Sequence, residues 1–217
     1  MSSLSCGTYH SAVCTVEGEL YSWGANTDGQ LGLGDTTDRS FPHLVAADFG
    51  GGMVLQVACG GKHSLALSQD GRTWGWGCNS HKQVGLDSAG RLIERPRVIN
   101  DLSSTRMVQL SAGGAHSAAV SADGACFTWG KNQNGQLGHS TASLCEMPNI
   151  VQALPMRVAW VACGGAHTAC MLRLPDVSSL APLSNRDSLT SARSSTGSSA
   201  GMSFRKDNSF MDRYKFN

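Results

Sequence analysis

Four histidines sit in one slot of a repeated phrase, and their type suggests a metal centre or an acid–base relay first. They close Cys6-Gly7-Thr8-Tyr9-His10, Cys59-Gly60-Gly61-Lys62-His63, Ala112-Gly113-Gly114-Ala115-His116 and Cys163-Gly164-Gly165-Ala166-His167. Their steps are 53, 53 and 51 residues. Eight cysteines would add soft ligands, and the Gly-Gly pairs invite comparison with a phosphate cradle.

The copies argue against each of these chemistries when they are overlaid. Cys59 shares its slot with Ala112, Cys14 with Leu67, Val120 and Met171, and Cys170 with Val13, Ala66 and Ala119. Cys126 lines up with Leu20 and Thr73. A thiol that exchanges with small or apolar side chains is acting as a compact hydrophobe. No Cys-x-x-Cys pair occurs, so the usual zinc spacing is missing. The glycine pairs are followed by neither a helix pattern nor a correctly spaced lysine, and they read as tight turns. In a modular array the four histidines stand in successive units and lie apart. Their expected role is local, a side chain bonding the backbone of its own glycine turn. No serine or histidine has the strand–elbow–helix context of a hydrolase nucleophile, so no enzymatic activity and no cofactor are expected.

What remains is the repeat itself, since a fixed period of this size means an array of like units. Trp23, Trp76 and Trp129 keep the register of 53, as do Gly18, Gly71 and Gly124. Within the second copy, Val54, Leu55 and Val57 make a short strand ending at the Cys59 turn, and Leu65-Ala66-Leu67 makes a second, buried one. Asp70-Gly71 then reads as a hairpin with a primed turn. Thr73-Trp74-Gly75-Trp76 forms a third strand, and a short fourth around Arg97-Val98-Ile99 follows Pro96, an edge-strand residue. Four short antiparallel strands per unit describe one blade of a β-propeller, and the chain is expected to be all-β.

These motifs resemble the repeats of the regulator of chromosome condensation family. The likeness rests on Cys6-Gly7-Thr8-Tyr9-His10-Ser11 followed by Gly18-Glu19-Leu20-Tyr21-Ser22-Trp23-Gly24-Ala25-Asn26-Thr27-Asp28-Gly29-Gln30-Leu31-Gly32. Trp129-Gly130-Lys131-Asn132-Gln133-Asn134-Gly135-Gln136-Leu137-Gly138 repeats the second half regularly, while the middle copy carries Lys82 for glycine and Val84 for leucine. The resemblance covers roughly residues 4–173. It implies a seven-bladed propeller with a binding role: nucleotide exchange on a Ran-like small GTPase, histone docking, or a module of a ligase or kinase. Fold membership does not choose among these. The Gly-Trp-Arg-His clusters of the family's plant light sensors are absent, so light sensing is not expected. Only three such tryptophan strands are present, and the array stops after Met171-Leu172-Arg173. Three and a half blades, a partial or open propeller over 1–173, are therefore expected. Self-association or completion by another chain would follow from the uncovered blade faces.

Composition narrows the partners. Residues 1–173 carry 11 Lys/Arg and 12 Asp/Glu, a net of −1, and 174–217 carry 6 and 4, a net of +2. That balance is far from the basic surface of a protein gripping phosphates, which counts against chromatin; Arg91, Arg95, Arg97 and Arg106 read as a scattered solvated face. No apolar run approaches the roughly 18 residues of a membrane span, no secretory signal is evident at the start, and the expected compartment is cytoplasmic or nuclear. Partner contacts are sought on loops. The candidates are His81 and Lys82, which break their copy's pattern, with Asp35, Asp38 and Arg39 in one variable insertion and Asp87 and Arg91 in the next. The leading expectation is a protein–protein interaction scaffold, with exchange activity toward a small GTPase as the alternative and chromatin binding as a second. From Pro175 the chain turns serine-rich, with 11 serines in its last 44 residues, and is expected to be a disordered tail. Docking of its Phe210–Phe216 segment is a weaker expectation.

Overall fold

A computed structural model describes residues 3–86, 90–140 and 143–173. The expectations placed on 174–217 lie outside the described residues. Fourteen strands run in chain order. The first blade holds β1 (Ser3–Cys6), β2 (His10–Cys14), β3 (Leu20–Gly24) and β4 (Arg39–Leu44); the second holds β5 (Val54–Cys59), β6 (His63–Ser68), β7 (Thr73–Cys78) and β8 (Leu92–Val98). The third holds β9 (Met107–Ala112), β10 (His116–Ser121), β11 (Cys126–Lys131) and β12 (Leu144–Ile150), and the array ends on β13 (Val158–Cys163) and β14 (Thr168–Leu172). Each complete blade is an antiparallel meander in sequence order, and the last sheet has two strands. Three and a half blades is therefore the observed architecture. Among the described residues one 3₁₀ turn, Asn100–Leu102, interrupts the β structure, and no helix is long and apolar enough to cross a membrane.

Two local expectations need correction. The hairpins between second and third strands are not primed two-residue turns. Gly18, Gly71 and Gly124 have φ near +85° (84°, 87° and 87°), but Asp70 does not: among the described residues Lys82 is the only non-glycine with positive φ. The Gly71 amide donates to the Ser68 carbonyl and the Ser68 amide to the Arg72 carbonyl, the pattern of a three-residue loop ending in a glycine bulge. The fourth strand also starts earlier than expected, at Leu92, with a register shift opposite Gly75–Gly77 that lets Pro96 sit inside it without breaking the ladder.

The hydrophobic core lies between blades rather than within one. One cluster joins Cys14, Leu20 and Val45 of the first blade to Val57, Trp74 and Trp76 of the second. The next joins Leu65, Leu67 and Ile99 to Met107, Leu110 and Trp129, and a third joins Val120 and Cys126 to Val158 and Val161. Polar side chains of the first strands replace strand pairing where blades meet. The Gln56 carboxamide brackets Leu110, donating to its carbonyl at 3.0 Å and accepting from its amide at 2.8 Å. Gln109 does the same to Val161 at 2.8 Å each way.

Candidate interaction surface

Antiparallel connectivity sends the turns between first and second strands, and the loops between third and fourth, to one face of the arc. The repeated histidine belongs to the first kind of turn and the Asn…Gln-Leu-Gly loop to the second. Together they build a lock between neighbouring blades. Ser64 Oγ donates to the Gln30 carbonyl at 2.8 Å, so it accepts from His10 Nε2 at 2.8 Å. The Trp76 indole donates to the same Gln30 carbonyl at 2.8 Å and lies over Gly32, where any Cβ would meet the ring. One blade later the set recurs as His63, Ser117, Gln83, Trp129 and Gly85, with distances of 2.8, 2.7 and 2.9 Å. His116, Thr168 and Gln136 repeat the first two bonds at 2.9 and 2.7 Å.

The histidines thus bond across blades and not to their own turns, which corrects the local role expected for the side chain. The turn is closed instead by backbone, with the Gly7, Gly60 and Gly113 amides donating to the carbonyls of His10, His63 and His116. Room for the ring comes from glycine, since a Cβ on Gly7, Gly60 or Gly113 would strike the imidazole. Burial holds His10 down to about 4, His63 to about 3 and His116 to about 4. With Nε2–H donated, each Nδ1 is bare and has no partner. Burial likewise pushes the Cys14, Cys59 and Cys126 thiols up to about 12, and every cysteine is free. No cluster of metal-ligating side chains occurs among the described residues.

The loops after the tryptophan strands owe their shape to the asparagine and glutamine that recur in them. Asn26 Oδ1 accepts from the Leu31 amide, Asn79 Oδ1 from Val84 and Asn132 Oδ1 from Leu137. Gln30, Gln83 and Gln136 each cap the amide two residues back through Oε1. These asparagines serve turn geometry.

The expected contact residues fall on this face in two adjacent loops. Asp35, Asp38 and Arg39 knit the first loop. Asp35 accepts from the Thr37 amide at 2.9 Å and from Arg39 at 2.7 Å, which together hold its carboxyl below the usual range. Asp38 accepts from the Asn26 amide at 2.7 Å. In the second loop His81 and Lys82 are half-buried, and Lys82 has φ 58° where Gly29 and Gly135 have 68° and 73°. Arg91 is exposed and its carbonyl receives the Asn79 amide at 2.7 Å. Asp87 lies outside the described residues.

Two further residues went unmarked in the sequence. Tyr9 is 70% exposed at the tip of the first turn. Lys62, at the same slot one unit on, reaches back to Asp28 of the preceding blade at 3.0 Å, which raises the ammonium's pKa. The signal was available: the slot before the repeated histidine reads Tyr9, Lys62, Ala115 and Ala166, while the histidine after it and the glycine two places before it stay fixed.

A repeated blade-to-blade lock and a variable loop face define a β-propeller repeat protein. The model of the RCC1-like domain matches residues 1–170, and the chain belongs to that family. It is 38% identical over 172 residues to the probable E3 ubiquitin-protein ligase HERC6 of Homo sapiens, covering 77% of this chain and 17% of that protein. It is 35% identical over 170 residues to the ultraviolet-B receptor UVR8 of Arabidopsis thaliana, covering 77% and 38%. Among solved structures it superposes on Prp20p of Saccharomyces cerevisiae with a TM-score of 0.73 at 25% identity, covering 80% of this chain and 44% of that one. That structure is described together with its binding properties toward Gsp1p and histones. The chain thus spans less than half the length of each of these relatives.

Proposed function

We propose that this chain is a non-catalytic protein-interaction module that binds a protein partner through the face bearing the histidine turns and the Asn…Gln-Leu-Gly loops. The observation that carries this reading is the contrast between framework and face. The histidine bond of the lock recurs at all three junctions, whereas Tyr9, Lys62, His81, Lys82 and Arg91 have no like residue in the other copies. Side chains that vary between copies while the framework is kept are the ones placed to specialise in recognition. The repeated histidines and most of the cysteines serve packing, so the reading assigns no bond-making chemistry. The test is affinity capture with the intact chain beside two variants. Tyr9→Ala with Lys62→Glu should lose a specific partner, while Gln69→Ala on the opposite face should keep it. Equal retention by both variants defeats the assignment of the face.

A second reading is nucleotide exchange on a Ran-like small GTPase, supported by the likeness to Prp20p, whose structure is described with Gsp1p binding. Release of a fluorescent GDP analogue from Ran-like, Rab-like and Arf-like GTPases tests it, and at least tenfold acceleration of one would favour exchange over a passive scaffold. The near-neutral charge of residues 1–173 weighs against binding chromatin mainly through DNA phosphates.

A further inference from the structure

The lock is complete at two junctions and short of one part at the third. Gln136 and Thr168 take the places of Gln30 and Ser64, but no indole among the described residues donates to the Gln136 carbonyl. Trp129 has no tryptophan 51, 52 or 53 residues beyond it, where the sequence reads Leu180, Ala181 and Pro182. Where that ring would lie there is a cleft, lined by Cys126, Leu137, Gly138, Val151, Leu154 and Cys170, with Gln136 and Thr168 at its polar end. By repeat register, Leu137, Gly138 and Val151 correspond to Leu31, Gly32 and Val45, and Gly32 and Val45 belong to the filled seat around Trp76. Gly138 has φ 70°, as Gly32 has 74°. Among the described residues, the cleft presents one wall of a tryptophan seat, with its carbonyl acceptor in place.

The strand beside it is also unfinished. β6 and β10 each pair on both sides, the outer partner being the tryptophan strand. β14, their counterpart, pairs with β13 alone among the described residues. Met171 is 58% exposed where Val120 is 1% exposed, and His167 is exposed where His116 is buried. An open edge with alternating pockets is the geometry for strand addition, in which backbone bonds supply affinity and a side-chain pocket supplies selectivity.

We infer that the open edge of β14 and the cleft beside it form a binding site for a β-strand of another polypeptide, one bearing a tryptophan followed by glycine. The strand would pair antiparallel with Thr168–Leu172, set its indole against Gly138 and donate to the Gln136 carbonyl. The glycine is needed because Gly24, Gly77 and Gly130, which follow the three repeat tryptophans, have φ of 106°, 98° and 99° and each sits against the turn of the paired strand. The inference stands apart from the loop-face reading and would survive its failure, since it uses different residues.

The experiment uses the full chain and a synthetic peptide with the sequence of residues 17–33, which contains Trp23-Gly24 and Gln30-Leu31-Gly32. Calorimetry should show saturable binding, and a peptide with Trp23→Ala should bind at least about tenfold more weakly. Amide exchange at residues 168–172 should slow on binding of the first peptide alone. Leu154→Arg in the cleft wall should abolish binding, with a far-ultraviolet spectrum unchanged from the parent. Because the two peptides are compared on unmodified protein, the test does not depend on that variant folding. Absence of binding at roughly millimolar peptide, including occupation of the seat by the chain's own residues 174–217, overturns the inference. So does equal binding of the two peptides.

Discussion

His63 and Ser117 lie 54 residues apart in neighbouring blades and meet at 2.8 Å, both fully or almost fully buried. The Ser117 hydroxyl spends its own proton on the Gln83 carbonyl, so it can only accept from the imidazole. Ser117→Ala removes that acceptor and strands a buried N–H. The expected loss is about 1–3 kcal/mol, read as a lower urea midpoint with an unchanged slope. Ser11→Ala, at the half-buried equivalent in the first blade, should cost less.

Acid should unlock the blades in a defined window. The unfolded histidines take up a proton near pH 6.5, whereas His10, His63 and His116 resist it until about 4, 3 and 4. Between those values the unfolded state binds more protons, so stability falls as pH falls, beginning near 6.5 and levelling off only below about 3, the value of His63. Urea midpoints at pH 7.5, 6, 5 and 4.5 should decline steadily. A flat profile would mean the imidazoles are not held neutral.

The three repeat tryptophans should differ in worth despite equivalent positions. Trp129 is fully buried with its indole bonded to Gln83, while Trp23, in the first blade, is half-buried and has no described blade before it. Trp129→Ala is expected to cost about 3–5 kcal/mol. Trp23→Ala should cost less than half as much in the same thermal or urea melt.

Much of this was legible because the copies serve as one another's control. Blade count and the hairpin glycines follow from register, since each rule acts within a few residues. The partner of the repeated histidine was not legible. Its bond reaches Ser64, Ser117 or Thr168 across a blade junction, and the register places those serines one step after the next histidine without saying which way the ring points. Asp35, Asp38 and Arg39 look like a free charged insertion for a related reason: charge in a sequence does not reveal that the backbone of Asn26 and Thr37 needs capping.

Lys82 offers a test of strain against use. It holds a left-handed φ that Gly29 and Gly135 adopt without a Cβ. Lys82→Gly is expected to raise stability by up to about 1 kcal/mol. If the same change weakens partner capture, the strain is retained for recognition.

Thiol labelling separates surface from seam. Cys6 is exposed, while Cys14, Cys59 and Cys126 are buried with pKa values near 12. Iodoacetamide at pH 8 should modify Cys6 promptly and leave those three untouched until the chain is unfolded, as peptide mass mapping would show.

The blade-to-blade bonds span 54 residues at the first junctions and 52 at the last, yet they join equivalent atoms at nearly equal lengths. Spatial phase is therefore kept while contour length drifts, the slack being taken up in the connections. Up to Gly138 a module of this chain has no privileged starting point: any window of about one period contains one full set of lock parts, however it is cut. Tandem copying from an arbitrary boundary would lengthen the arc by one blade, and the array behaves like a one-dimensional crystal whose unit cell can be drawn anywhere.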